Sequence, residues 1–97
     1  MPTYIAMGKY SDKGIANIKD SPKRLAAAKK GIEDMGGEMK AFYYTMGQYD
    51  FVSIAEWPSN EAAMTFLFAL GKLGDVKTET LVAIPAEDAA KLIAKVP

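Results

Sequence analysis

The chain has 97 residues, 12 basic and 12 acidic side chains, no net charge and 49% hydrophobic residues. This length predicts one domain with one core over residues 1–97, and the balanced charge argues against a nucleic-acid partner. Cysteine and histidine are both absent, which excludes disulfides and thiolate zinc sites and removes the commonest general base and metal ligand. We therefore expect no metal and no cofactor.

The N-terminal segment Met1-Pro2-Thr3-Tyr4 lacks the basic and apolar regions of a signal peptide. No apolar run approaches the ~20 residues that a membrane span requires. We therefore expect a cytoplasmic protein that has no membrane partner.

The first predicted element is a strand over Thr3–Tyr10, where side chains alternate between two faces that are both largely apolar. Turn-forming residues follow in Ser11–Gly14. The next segment predicts a single helical turn, with Ile15 and Ile18 pointing inward.

Helix-start residues follow in Ser21-Pro22, which predict an N-cap serine and a proline in the first turn. Arg24, near this start, is either a solvated charge or a contact for an anionic ligand. Gly36-Gly37 predicts the end of the helix. The apolar residues of this helix that are predicted to face the core are Leu25, Ala28, Ile32 and Met35.

A predicted β-hairpin forms the centre of the chain, with strands over Glu38–Met46 and Phe51–Trp57. The connection contains Gly47, which can adopt a positive φ. It also contains Asp50, whose short carboxylate can accept hydrogen bonds from backbone N–H groups across a turn. Turn chemistry accounts for both residues, so we expect their role to be structural.

A second helix is predicted after Pro58-Ser59-Asn60, followed by a strand over Val76–Ile84 and a short amphipathic helix at the C-terminal end. Met64 and Phe68 form an i,i+4 pair beside the polar side of the second helix. We expect another subunit or the terminal helix to cover this pair.

The resulting order, β-α-β-β-α-β with an added C-terminal helix, predicts an α+β ferredoxin-like fold. Right-handed crossovers place both main helices on one face of a four-stranded antiparallel sheet and leave the other face open. The strands carry more large apolar residues than one covered face accommodates. We therefore expect two sheets to pack face to face in a homodimer. The residues in excess are Tyr4, Tyr10, Phe42, Tyr43, Tyr44, Met46, Phe51 and Trp57.

Three segments, Thr45–Phe51, Lys19–Pro22 and Val76–Leu81, resemble the GYD-domain family, and the likeness extends over nearly the whole chain. The resemblance implies a dimeric α+β barrel, in which two ferredoxin-like protomers close their sheets together. It implies no established activity. At the level of the fold alone, the chain is also similar to the effector-binding domains of Lrp/AsnC regulators and to cofactor-independent monooxygenases.

Four candidate ligand-binding residues occupy alternate strand positions that point to the same face of the predicted sheet. They are Tyr4, Tyr10, Phe51 and Trp57. If that face is the open side, they line a pocket between the sheet and a partner; the alternative is a dimer core without ligand. Tyr49 either presents its hydroxyl to a ligand or lies at a subunit contact.

These residues leave three functional interpretations open. The first is a homo-oligomeric module that binds or senses a small apolar or aromatic molecule, in a cleft between the sheet and the helices or the partner. The second is a cofactor-independent monooxygenase-like enzyme with an aromatic or enolic substrate, for which no catalytic residue is identified. The third is a structural oligomer subunit without ligand.

Overall fold

A computed structural model describes residues 1–97 and contains four strands and four α-helices. In chain order they are β1 (Thr3–Tyr10), α1 (Asp12–Ala16), α2 (Ser21–Asp34), β2 (Glu38–Tyr44), β3 (Phe51–Glu56), α3 (Asn60–Lys72), β4 (Val76–Ala83) and α4 (Ala86–Ile93), with a short 3₁₀ turn at Ile18–Asp20 before α2.

The strands form one antiparallel sheet in the order β2-β3-β1-β4. The first strand is therefore central, and it pairs with β3 on one side and with β4 on the other. Both main helices, α2 and α3, lie over the same face of this sheet. This arrangement confirms the predicted ferredoxin-like α+β fold with an added C-terminal helix.

The register determines which side chains lie beneath the helices. Ala6 pairs with Ser53 on β3 and with Thr80 on β4, and all three residues face α2 and α3. The alternate residues of the central strand, including Ile5 and Met7, face the open side. That side is also apolar, which is why periodicity alone could not assign the two faces.

The start of α2 differs from the prediction in one respect. Asp20 occupies the N-cap position without a side-chain capping bond, and Ser21 is the first helical residue. Its hydroxyl instead lies within hydrogen-bond distance of the Tyr10 and Tyr44 hydroxyls. At the start of α3, the Ser59 side chain caps the helix by accepting a hydrogen bond from the Ala62 N–H.

The segment after β1 also departs from the prediction. Ile15 and Ile18 do not point inward; both side chains are exposed. The helical turn begins earlier, at Asp12, because Ser11 caps it and binds the loop before β4. Gly14 packs so closely on the Asp75 carbonyl that an added Cβ would lie 2.1 Å from its oxygen.

The hairpin strand β2 ends two residues earlier than predicted, and a six-residue loop, residues 45–50, precedes β3. A bulge interrupts the pairing at Lys40, between Met39 and Ala41. The Lys40 ammonium lies 3.2 Å from the Glu38 carboxylate and 3.6 Å from the Glu56 carboxylate.

The C-terminal helix α4 makes little contact with the other elements. The radius of gyration is 14.8 Å, whereas a compact domain of this length has about 12–13 Å. The apolar side chains Leu92, Ile93 and Val96 are exposed. None of the helices combines the length and the apolar character needed to cross a bilayer.

Candidate functional site

An apolar cavity of about 290 Å³, partly open to solvent, lies between the sheet and the helices α2 and α3. Of the 25 residues around it, 19 are hydrophobic. Protein interiors usually leave no void much larger than a water molecule. A volume of this size inside the helix–sheet layer is therefore a candidate ligand site.

The sheet forms the floor of the cavity with a row of small side chains. This row is Ser53, Ala6 and Thr80, which are direct neighbours on β3, β1 and β4. Small residues at the centre of the sheet keep the floor low. The larger side chains of the neighbouring rows stand on either side and form the walls.

One wall is built around Trp57, which is 4% exposed and packs on Phe66 of α3 with a ring-centroid separation of 5.4 Å. Tyr4 lies on the same side of the cavity and is 5% exposed. Its hydroxyl donates a hydrogen bond to the Asn60 side-chain oxygen at the start of α3. This bond satisfies the phenol and fixes the ring.

The opposite wall is built around Phe51, whose ring stacks on Phe42 at 5.2 Å and tilts against Tyr10 at 5.8 Å. The Phe51 ring covers Gly8 of the neighbouring strand so closely that a Cβ at position 8 would lie 1.9 Å from it. Glycine at this position is therefore what lets the ring lie flat beside the cavity.

A chain of hydroxyl groups runs along the end of the cavity near α1. The Ser21 oxygen lies 3.1 Å from the Tyr10 hydroxyl and 3.0 Å from the Tyr44 hydroxyl. Arg24 lines the same end, and its guanidinium donates to the backbone carbonyls of Asn17 and Gly14. Both terminal nitrogens of Arg24 therefore have backbone partners, and an anion contact at this end stays a prediction.

The structure brings four of the five predicted ligand-binding residues, Tyr4, Tyr10, Phe51 and Trp57, to this cavity. They lie beneath the helices, however, and not on the open face of the sheet. The expected pocket between the sheet and a partner subunit depended on the opposite orientation, so it does not apply to these residues. Ligand binding by these residues stays a prediction.

The fifth candidate, Tyr49, lies away from the cavity on the open side of the sheet. Its hydroxyl donates a hydrogen bond to the Glu79 carboxylate at 2.7 Å, and the Lys9 ammonium lies 5.6 Å from its ring centroid. The hydrogen bond to Glu79 raises the pKa of Tyr49 above its usual value of 10, because the bond needs the phenolic proton.

The hairpin loop contains both residues for which turn chemistry was expected. Gly47 has a φ of +107°, in the region that favours glycine. The Asp50 carboxylate accepts a hydrogen bond from the Tyr10 N–H, and the Asp50 N–H donates to the Gly8 carbonyl. The loop is thereby attached to the end of β1.

Sequence reasoning did not identify the hydroxyl residues of the floor. Ser53 and Thr80 looked like ordinary strand positions, because β3 and β4 are mixed in polarity on both faces. The sequence does place small residues at the strand centres. Once the strand register is known, they indicate space between the sheet and the helices. No three acidic side chains lie close enough together to hold a metal ion.

The chain is thus a small ferredoxin-like domain with an apolar cavity between its helix layer and its sheet. The chain belongs to the GYD-domain family, whose model matches residues 4–93.

A curated relative from Thermus thermophilus is 34% identical over 89 residues, covering 91% of this chain and 94% of its own. It is named glutamine synthetase and cystathionine beta-lyase binding protein.

Solved structures share the fold at low identity. A protein of Thermus thermophilus aligns with a TM-score of 0.57 and 22% identity over 89% of this chain and 96% of its own. A hypothetical protein of Pyrococcus horikoshii aligns with a TM-score of 0.56 and 20% identity, over 87% of this chain and 90% of its own.

Proposed function

We propose that the protein is a homo-oligomeric module that binds a small apolar or aromatic molecule in the cavity between α2, α3 and the sheet. The observation that carries this proposal is the cavity itself, with its volume of about 290 Å³ and mainly hydrophobic lining. Small-molecule sites have this composition: apolar and aromatic walls with a few polar groups.

The energetic cost of an empty cavity also supports ligand binding. An empty apolar cavity lowers stability in proportion to its volume, because its lining loses van der Waals contacts. Larger side chains at Ala6, Ala28 or Ala63 would fill this space, yet all three positions are alanine. A cavity kept open by small residues on both layers is typical of a protein that binds a ligand there.

The only tryptophan provides the test, because Trp57 lines the cavity. Titration with aromatic acids, quinones and amino acids should give saturable quenching for at least one class of compound. Trp57→Phe should remove the optical signal, while calorimetry should still detect binding that Tyr10→Ala weakens.

A matched pair of variants separates cavity binding from surface binding. Ala28→Leu adds volume inside the cavity and should weaken binding at least tenfold, whereas Ala26→Leu adds the same group to the exposed side of α2 and should not. Equal affinity in both variants would contradict a site in this cavity.

A protein-binding role is a second candidate, and the name of the Thermus thermophilus relative favours it. We propose that this chain also contacts an enzyme of amino-acid metabolism, with glutamine synthetase and cystathionine β-lyase as the first enzymes to examine. Surface plasmon resonance with each purified enzyme, with and without a cavity ligand, would measure the contact. Absence of binding to both enzymes would contradict this candidate.

The homo-oligomer is proposed to form through the open sheet face, with a second copy as the occupant. The centre of that face is apolar and includes Ile5, Met7 and Ile54. Lys9 and Lys77 oppose each other at one end of the face without an ion-pair partner in the protomer, and with Glu79 beside them this end has a net positive charge. Like charges placed directly opposite in this way are destabilising.

The other end of the same face carries the opposite charge. Glu38 and Glu56 are directly paired there, with Lys40 between them. A two-fold axis that crosses the strands would place each basic end over the acidic end of the other copy. The charges of the face therefore support a second copy in this orientation.

The enzymatic alternative has less support. The only acidic residue in the cavity lining is Asp75, whose backbone carbonyl accepts a hydrogen bond from the Ser11 N–H at the start of α1, and the only polar side-chain groups of the floor are hydroxyls. Proton abstraction from an aromatic or enolic substrate needs a base within hydrogen-bond reach, and the lining offers none above the floor.

A further inference from the structure

The hydroxyl of Thr80 is buried and has no hydrogen-bond partner, and it is the one buried side-chain polar atom in the protein of which this is true. Burying an unsatisfied hydroxyl is unfavourable, because its bonds to water are lost and not replaced. Valine would have the same shape at this position without that cost. An unpartnered group of this kind therefore needs an explanation.

Thr80 is part of the cavity floor, in the same row as Ala6 and Ser53. Neighbouring strands lie about 4.8 Å apart, so a flat ring resting on Ala6 would have a hydroxyl side chain on each side. The Thr80 side chain thus borders the space that lacks an occupant, and because its hydroxyl oxygen has almost no accessible surface in the empty protein, a hydrogen bond to a ligand requires rotation about the Cα–Cβ bond.

The lining indicates that this occupant presents an uncharged group to the floor. Its only charged members are Arg24 and Asp75. The Arg24 guanidinium is bound to two backbone carbonyls, and Asp75 lies 3.8 Å from the Lys13 ammonium. A charged substituent at the floor would be buried without a counter-charge, which is strongly unfavourable.

A trapped water molecule is a poor substitute for such a ligand. A buried water is held by about three hydrogen bonds, and the surroundings of Thr80 are mainly apolar. A ligand with a large apolar body gains most of its affinity from the walls, so it needs only one partner at the floor.

We propose that Thr80 determines the specificity of the cavity by exchanging a hydrogen bond with a neutral hydroxyl or carbonyl group of a one- or two-ring aromatic ligand. This inference rests on the proposed function and adds the chemical class of the ligand to it.

The test compares naphthalene, 1-naphthol and 1-naphthoate, titrated into the protein and followed by NMR chemical shifts. The wild type should bind 1-naphthol up to about tenfold more tightly than naphthalene, the range expected for one neutral hydrogen bond. It should bind 1-naphthoate least well. Thr80→Val should make the affinities for 1-naphthol and naphthalene equal, and Thr65→Val, on the exposed side of α3, should preserve the difference.

The melting temperature gives a second test, because the variant that loses ligand discrimination should be more stable. Thr80→Val should raise the melting temperature by a few degrees, because the variant loses an unsatisfied polar group and keeps the packing. A lower melting temperature would assign the hydroxyl a structural bond and overturn the inference.

The ligand series also separates the two proposals. If the wild type binds naphthalene and 1-naphthol equally and Thr80→Val changes neither affinity, the role of Thr80 is wrong while the cavity remains a binding site. If the wild type binds none of the three compounds, both proposals are wrong.

Discussion

Asp50 connects the hairpin loop to the first strand through two hydrogen bonds. Its carboxylate accepts from the Tyr10 N–H at 2.8 Å, and its own N–H donates to the Gly8 carbonyl at 2.8 Å. Because Tyr10 and Gly8 flank the cavity wall built around Phe51, this loop helps to hold that wall in place. A turn residue thus acts on the candidate site without touching it.

We expect Asp50→Ala to lower the free energy of unfolding by about 1–2 kcal/mol, since the Tyr10 N–H loses its partner. Asp50→Asn keeps an acceptor oxygen and should lose less. Chemical denaturation would measure both changes. An unchanged stability in Asp50→Ala, combined with loss of a measurable activity, would show that the carboxylate is catalytic and not structural.

Helix α3 presents two different surfaces to its surroundings. Its inner side, with Ala63 and Phe66, packs over the sheet, while Met64 and Phe68 are 55% and 72% exposed. The C-terminal helix does not cover this pair within the protomer, because α4 makes little contact with the other elements. Of the two covers expected for this pair, contact with another subunit stays a prediction.

Replacing Met64 with Lys and Phe68 with Glu should reduce the size of any assembly larger than a dimer, because two apolar contacts become charged. The melting temperature of the protomer should change little, since neither side chain belongs to the core. Light scattering after size-exclusion chromatography would report the mass, with Thr65→Lys as a control on the same helix. An unchanged mass would mean that the pair is simply exposed.

The same elements show what the sequence could predict. Period-two alternation and turn residues located every strand to within two residues, because strand ends follow local chemistry. The orientation of β1 was not predictable, since Tyr4 and Ala6 on one face are as apolar as Ile5 and Met7 on the other. The cavity depends on the distance between two layers, and no local pattern encodes that distance.

The whole molecule has one apolar face beneath its helices and a second apolar face without a cover. Antiparallel sheets of soluble monomers usually have a polar outer face. Here the outer face carries Tyr43 and Leu81, which are 61% and 52% exposed, and the charges at its two ends are of opposite sign. These features support the proposed homodimer and suggest how to test its orientation.

We expect a homodimer at micromolar concentration, measured by sedimentation equilibrium. Lys77→Glu should weaken it, although the same change places a carboxylate opposite Lys9 and relieves repulsion within the protomer. Combining Lys77→Glu with Glu56→Lys should restore association, because the exchanged charges again face each other. A wild type that is monomeric at every concentration tested would contradict the interface.

The pairing of the first and last strands also determines how the sheet responds to force. Thr3 is opposite Ala83, and Tyr10 is opposite Val76. Tension applied at Thr3 and Ala83 loads the pairing of β1 with β4 at one end, so the hydrogen bonds between these strands break one after another. Tension applied at Tyr10 and Ala83 runs along the strands and loads all of these bonds together. The sheet is therefore mechanically soft when it is pulled from the first pair of points and stiff when it is pulled from the second.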